Sequence, residues 1–387
     1  MIYLDAASTS LQKPPAVALA MAEALGSLGN PGRGVHFHAK SASDCVYQGR
    51  KAVAALFGCA PGQVAFTSGA TEALNIAIGG LLKPTGHVIT TVLEHNAVLR
   101  PLFHLEAQGM GLSVIGLKDG NLDYAAFENA VKPNTKAVVI TFASNVTGLV
   151  VDMKQVAAFC KKHGLLLIVD GAQAAGALPI HMGEMGIDVL CFTAHKSLYG
   201  PQGIGGLCVA PHVKVAPVKF GGSGSNSFDK TQPTEMPDAL EAGTLNAHGI
   251  AGLMAGVGYI GEKGMDSLFG KGQALAAQFY EGVSAIFGVK IYSLFHLPHT
   301  PVVALNIGDM DSGAVEDLLS REYGICARGG AHCAPLLHRA LGTEKQGAVR
   351  FSFSSFNTAE EVTRAVEAVA DISKDIALEI APEQAHG

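Results

Sequence analysis

Short apolar runs rich in β-branched residues recur along the first part of the chain, at 64–67, 87–91, 137–141, 165–170, 189–192 and 204–209. Polar residues do not alternate within them, so both faces of each run are apolar. Strands of that kind lie in a sheet covered by helices on each side. The segments between them carry helical spacing; 153–163, for example, places Val156, Ala157, Phe159 and Cys160 along one stretch. This alternation predicts an open, mostly parallel α/β sheet.

Residues 221–238 collect Gly, Ser, Asn and Pro and predict a loop, and 250–260 predict a long Gly/Ala-rich helix. From about residue 265 the pattern changes to longer helices and separated strands such as 302–307. A boundary there gives a large domain, 14–262, and a smaller one, 263–387, joined by the N-terminal segment 1–13. With 387 residues, 48% hydrophobic and only 16% charged, the chain can bury both cores. The same low charge leaves apolar surface for a subunit interface. A net charge of -6 with scattered Lys and Arg gives no nucleic-acid footprint. No run of ~20 apolar residues predicts a membrane span, and the first residues lack a signal-peptide pattern. Seven cysteines without a CxxC spacing predict reduced thiols, a cytoplasmic setting and no metal site.

Three strand ends carry chemistry. In Phe66-Thr67-Ser68-Gly69-Ala70-Thr71-Glu72 a strand passes through a Gly turn into a helix. Free N–H groups there, with the Thr71 hydroxyl, suit a phosphate; the plainer alternative is Thr71 capping its own helix. Asp170 closes the apolar strand of 165–170, at the end where α/β sheets bind ligands. Buried there, it needs a cationic partner such as a protonated ring nitrogen, unless it merely caps a helix. Lys196, in Thr193-Ala194-His195-Lys196, follows another apolar strand. A lysine desolvated in such a crevice is suited to Schiff-base chemistry, though a lone Lys is more often solvated. Phosphate anchor, ring-nitrogen carboxylate and Schiff-base lysine together are what pyridoxal 5'-phosphate (PLP) requires.

The motif order resembles class V of the fold-type I PLP enzymes, and within it the cysteine desulfurases and selenocysteine lyases. Tyr3-Leu4-Asp5 is similar to the family's opening strand, and Arg33-Gly34-Val35-His36 to its RGxH segment. Residues 69–75 resemble GTTEAIN, with Ala70 in place of the first Thr. Glu94-His95-Asn96 resembles the start of EHHAN, and Ser144-Asn145-Val146-Thr147-Gly148 resembles SNxxG. Asp170-Gly171-Ala172-Gln173 matches DGAQ, Thr193-Ala194-His195-Lys196 resembles SGHK, and Glu241-Ala242-Gly243-Thr244 matches EAGT.

The resemblance implies an aspartate-aminotransferase-like fold with a mostly parallel seven-stranded sheet and a smaller α+β C-terminal domain. It implies Lys196 as the cofactor lysine and proton shuttle, Asp170 on the ring nitrogen, and Gln173 on the ring oxygen. His95 would stack on the ring and assist proton transfer as a catalytic residue, and Ala70, Thr71, Thr193 and His195 would hold the phosphate. Asn145 would lie near the ring and the substrate carboxylate. Thr244 would reach the phosphate of a neighbouring subunit, which implies a homodimer.

Toward the C-terminus, residues 327–335 (ARGGAHCAP) resemble the RxGxHCA loop of group II desulfurases. There Cys333 would be the sulfur-accepting nucleophile, and flanking Arg328, His332 and the cofactor would lower the pKa of its thiol. The segment around Arg350 resembles the one that grips the substrate carboxylate, with Arg328 in support. The implied reaction converts L-cysteine to L-alanine with sulfur left as a persulfide on Cys333 and passed to an acceptor protein or a reductant. The alternatives are a selenocysteine lyase acting on L-selenocysteine, and another class V aminotransferase or PLP lyase. Ala331 and Asn96 depart from the family's histidines.

Overall fold

The computed structural model describes residues 1–32, 34–224 and 228–380. Arg33 of the RGxH-like segment, residues 225–227 of the expected loop and the last seven residues of the expected small domain lie outside the described residues. The first half runs β1 (Ile2–Tyr3), α1 (Pro15–Ser27), α2 (Phe37–Phe57), β2 (Val64–Thr67), α3 (Ala70–Leu81), β3 (His87–Thr91), α4 (Asn96–Glu106) and β4 (Gly111–Ile115). A small hairpin of β5 (Leu117–Lys118) and β6 (Asn121–Leu122) precedes α5 (Ala126–Ala130), β7 (Thr135–Thr141), α6 (Met153–His163), β8 (Leu166–Asp170) and α7 (Met182–Met185). Then come β9 (Val189–Thr193), β10 (Gly205–Val209), α8 (Ala247–Lys263), α9 (Met265–Ser284), β11 (Val289–Ile291) and β12 (Val302–Ile307). The chain ends through α10 (Ser312–Tyr323), β13 (Ile325–Cys326), α11 (Pro335–Leu341), β14 (Val349–Ser352) and α12 (Ala359–Ile380).

The expected sheet is present, with strand order β2-β10-β9-β8-β7-β3-β4. β10 is antiparallel to both neighbours and the other pairings are parallel. Both faces are covered, as the unbroken apolar runs require. Along β7, Val138 and Ile140 belong to one core, while Ala137 and Val139 belong to the core on the other face. Sequence periodicity missed β4, which is an edge strand. It is mostly half-buried and carries Ser113 and an exposed Val114 amid the pattern, so no apolar run marks it.

A third core lies in the C-terminal part. The sheet β11-β12-β14 packs Val303, Leu305 and Phe351 with Phe279 of α9, Leu319 of α10 and Val369 of α12. Leu4 is buried in this core, and β1 pairs in parallel with β13. We propose the division 14–262 and 263–387, joined by 1–13, on these contacts and on the break between α8 and α9 at Gly264. Among the described residues no helix is long and apolar enough to cross a membrane, and no cluster of His, Cys, Asp and Glu could hold a metal ion.

Two glycines bring the functional loops into place. A Cβ on Gly205 of β10 would lie 2.7 Å from the Gly69 Cα, so its absence lets the turn before α3 settle against the sheet. On α8, a Cβ at Gly256 would lie 2.2 Å from the Leu198 carbonyl oxygen, in the loop that follows Lys196. Gly256→Ala should therefore lower stability by about 1–3 kcal/mol, as overpacking against backbone does. Gly258→Ala, with open space around it, should not. Chemical denaturation of the two variants compares them directly.

Candidate active site

Asp170 and Thr193 end the parallel strands β8 and β9 at the same edge of the sheet, and Lys196 follows three residues later. Together they line a cavity of about 470 Å³. Ala70 and Thr71 open α3 at one wall, and Gly69, the residue before them, gives that helix no side-chain cap. Thr71 therefore does not cap its own helix, and the helix start faces the cavity. Gln173, His195, His95 and Asn145 complete the walls, with Arg328, Cys333 and Arg350 closing the C-terminal side. Twelve of the thirteen residues singled out from sequence meet here.

Burial sets the charges. Asp170 is buried, and its Oδ1 accepts the Ala172 N–H at 2.9 Å. Burial raises its pKa, opposed by that N–H and by Lys196. The Lys196 ammonium falls to about 8, mainly by desolvation. Arg350 and Arg328 push the same way, and Asp170 and Asp5 oppose them. His95 caps α4, its Nδ1 accepting the Ala97 N–H at 3.0 Å, so in the neutral ring Nε2 carries the proton. Burial and then Lys196 bring both His95 and His195 down to about 4. Both rings are neutral near pH 7.

Arg350 is buried in the wall. Its Nη1 donates to the Asn145 carbonyl at 2.8 Å and its Nη2 to Asp5 Oδ1 at 2.7 Å. Asn145 in turn donates from Nδ2 to the His332 carbonyl at 2.8 Å. Four buried atoms on these walls have no partner: Asn145 Oδ1, His195 Nδ1, His332 Nδ1 and Arg350 Nε.

Cys333 is exposed at the rim, in the left-handed region with φ 55°. The backbone around it is tied down. Its carbonyl accepts the Asn96 N–H at 2.7 Å, His332 Nε2 donates to the Ala348 carbonyl at 2.8 Å, and the Gly330 carbonyl accepts from Ala348. The expectation that His332 adds positive charge beside Cys333 does not hold. Burial first, and Arg350 second, lower its pKa to about 3, so it is neutral. The nearby cationic side chain on the same loop is Arg328.

The family model for class-V aminotransferases matches residues 2–365. The chain belongs to the class-V aminotransferase family. A probable cysteine desulfurase of Methanothermobacter thermautotrophicus is 31% identical, covering 96% of this chain and 94% of that one. A cysteine desulfurase IscS of Vibrio campbellii is 31% identical over 95% and 91%. Among solved structures, a cysteine desulfurase of Thermococcus onnurineus superposes with a TM-score of 0.91 at 32% identity, covering 97% of this chain and 95% of that one. The cysteine desulfurase CsdA of Escherichia coli gives 0.86 at 29% identity, over 98% and 94%.

Within this class-V chain, Thr244 stands apart. It is exposed and lines a separate groove with Asn30, Tyr47 and Asp238. The loop carrying it is anchored by Glu241, which accepts from both Arg50 Nη atoms at 2.7 and 2.5 Å and from the Phe66 N–H at 2.6 Å.

Sequence reasoning did not single out Asp5, Ser8 or Glu94. Glu94 is fully buried, with Oε1 accepting the Thr91 hydroxyl at 2.6 Å and Oε2 unpartnered. Burial raises its pKa from 4.5 to about 8; Asp170 adds to the shift, while the Thr91 hydroxyl and the Thr141 backbone oppose it. The native state thus keeps a proton that the unfolded chain releases. The resulting stability is complete below pH 4.5 and is lost as pH rises through about 8. Glu94→Gln removes this titration. Its unfolding midpoint should therefore gain on the wild type between about pH 5 and about pH 9, as thermal melts at several pH values would show.

Proposed function

We propose that this chain is a PLP-dependent cysteine desulfurase that takes the sulfur of L-cysteine onto Cys333 and releases L-alanine. The carrying observation is that Cys333 borders the same cavity as Lys196, Asp170 and Arg350. The residues fit the cofactor. An uncapped helix start, the Thr193 hydroxyl and the unpartnered His195 Nδ1 suit a phosphate, and a buried carboxylate suits a protonated ring nitrogen. An unpartnered buried polar atom costs about 1–3 kcal/mol, which such a ligand relieves.

Ala70, Thr71, Thr193 and His195 would hold the phosphate, Asp170 the ring nitrogen and Gln173 the ring oxygen, with His95 against the ring face. Bound there, PLP supplies a covalent hold on the substrate amine and an electron sink. Arg350, supported by Arg328 and Asn145, orients the substrate carboxylate. Lys196, with its pKa of about 8, is matched to removing and returning a proton at the substrate α-carbon near neutral pH. The Cys333 thiolate bonds to the substrate sulfur as the Cβ–S bond breaks. The sulfur stays as a persulfide and the carbon skeleton, once protonated, leaves as L-alanine. A reductant or an acceptor protein then removes the persulfide sulfur.

A second copy of the chain completes this reading. Leu19 and Leu25 of α1, Phe37 and Tyr47 of α2, and Phe220 are exposed apolar side chains. A homodimer would cover apolar surface of this kind and bring Thr244 to the partner's phosphate.

Two outcomes test the proposal. Alanine formation from L-cysteine should be stimulated by dithiothreitol in the wild type and fall at least about a hundredfold in Cys333→Ala. Equal rates would reject the persulfide. Loss with L-cysteine but not with L-selenocysteine would favour the selenocysteine lyase reading. Separately, covalent uptake of PLP by the apoprotein requires the neutral amine of Lys196. Its rate, followed by visible absorbance, should rise with pH and level off above about 8, whereas an ordinary lysine would keep rising toward about 10.4. Lys196→Ala should take up none covalently.

A further inference from the structure

The N-terminal segment enters the active site from the C-terminal core. Asp5 forms a bridge with Ser352 beside β14, and Ala7 and Ser8 line the cavity. Arg350 Nη2 donates to Asp5 Oδ1 at 2.7 Å and to Ser8 Oγ at 2.5 Å. Ser8 Oγ donates its own proton to Asp5 Oδ1 at 2.7 Å and accepts from Arg328 Nη1 at 3.1 Å. Arg328 Nη1 stands 4.0 Å from Asp5 Oδ2. One carboxylate and one hydroxyl therefore hold two guanidinium groups side by side.

This arrangement fixes more than charge. Two acceptors on Nη2 and the Asn145 carbonyl on Nη1 set the plane of the guanidinium. The buried Nε is left without a partner. Two guanidinium groups against one carboxylate leave a single net positive charge, which complements one carboxylate. Without Asp5, Arg350 would be a buried cation with no counter-ion, which is costly and free to reorient.

We propose that Asp5 and Ser8 are positioning residues that set the Arg350–Arg328 pair to select substrates bearing an α-carboxylate. The proposal rests on the reading of Arg350 as the carboxylate grip. Neither residue need touch the substrate; each acts through an arginine.

The test compares ligands that differ only by the carboxylate, using the PLP-loaded enzyme. L-alanine is paired with ethylamine, and L-cysteine with cysteamine; binding is read from visible absorbance and turnover from KM and kcat. In Asp5→Asn the half-saturating concentrations of L-alanine and L-cysteine should rise about tenfold or more, as expected for weakening a charged hydrogen bond, with the amines unchanged. Ser8→Ala should shift them in the same direction by less. Asp5→Glu should recover part of the loss. The burden should fall on KM more than on kcat.

Equal weakening of acids and amines would show a general structural defect and overturn the proposal. Unchanged discrimination in both variants would overturn it too. A wild type that fails to turn over L-cysteine, yet binds L-alanine in an Asp5-dependent way, would sink the desulfurase reading while upholding the positioning role.

Discussion

The site depends on placing an acid and an amine, Asp170 and Lys196, in one desolvated crevice. Water would otherwise stabilise both charges, so the protein must hold each near the other and near its remaining partners. The sheet does this through register. Asp170 pairs with Cys191 across parallel strands, and both strands are buried on both faces. A slip of one residue would turn Asp170 away from the cavity and bury it among the apolar side chains of the other face. The apolar runs that define the fold thus also fix the geometry of the charged site.

The loop carrying Lys196 is held from outside the sheet as well. The His195 carbonyl accepts from the Ser10 N–H at 3.0 Å, the Thr9 and Ser10 hydroxyls at 3.1 Å, and Lys13 Nζ at 3.1 Å. Four donors around one carbonyl leave the peptide unit before Lys196 little freedom. Burial lowers the Lys13 pKa to about 8, so this cation shares the desolvated setting. On the far side, Gly256 lets α8 pack directly beneath the same loop. Residues 5–13 therefore link Arg328 and Arg350 to the loop carrying Lys196, and through Leu4 they are rooted in the C-terminal core. A motion of that core relative to the sheet would be felt at both the arginines and the Lys196 loop.

What the sequence revealed follows from what leaves a local trace. Asp170 and Lys196 were legible because each closes or follows an apolar run and because the phosphate-type helix start at Thr71 stands with them. Singly each had a bland alternative, and Thr193 was legible only through the family resemblance. Helix α6 was legible from its spacing to the residue. β4 was not, since an edge strand with half its surface exposed carries no such run. Asp5 and Ser8 left no trace either. Asp5 reads as part of an opening strand, and its partner Arg350 lies 345 positions away. Glu94 looked like a neighbour of His95 rather than a buried acid in its own right. For Thr244, the single chain places the residue in a groove away from the cavity, and only the family resemblance assigns it a destination.

The histidines explain how the charge is distributed. Residue type alone leaves the charge of His95, His195 and His332 open. Burial lowers their pKa values to about 4, 4 and 3. Each then serves as a neutral group, with the tautomer set by Ala97 for His95 and by Ala348 for His332. The permanent positive charge of the cavity rests with Arg328 and Arg350, and the adjustable charge with Lys196. Such a site keeps its ligand-binding charge constant across the range where free imidazole titrates, roughly pH 6–7. Lys196, with its pKa lowered to about 8, keeps an adjustable charge beside these neutral rings. Cations at His95 and His195 would instead repel the Lys196 ammonium and lower its pKa further.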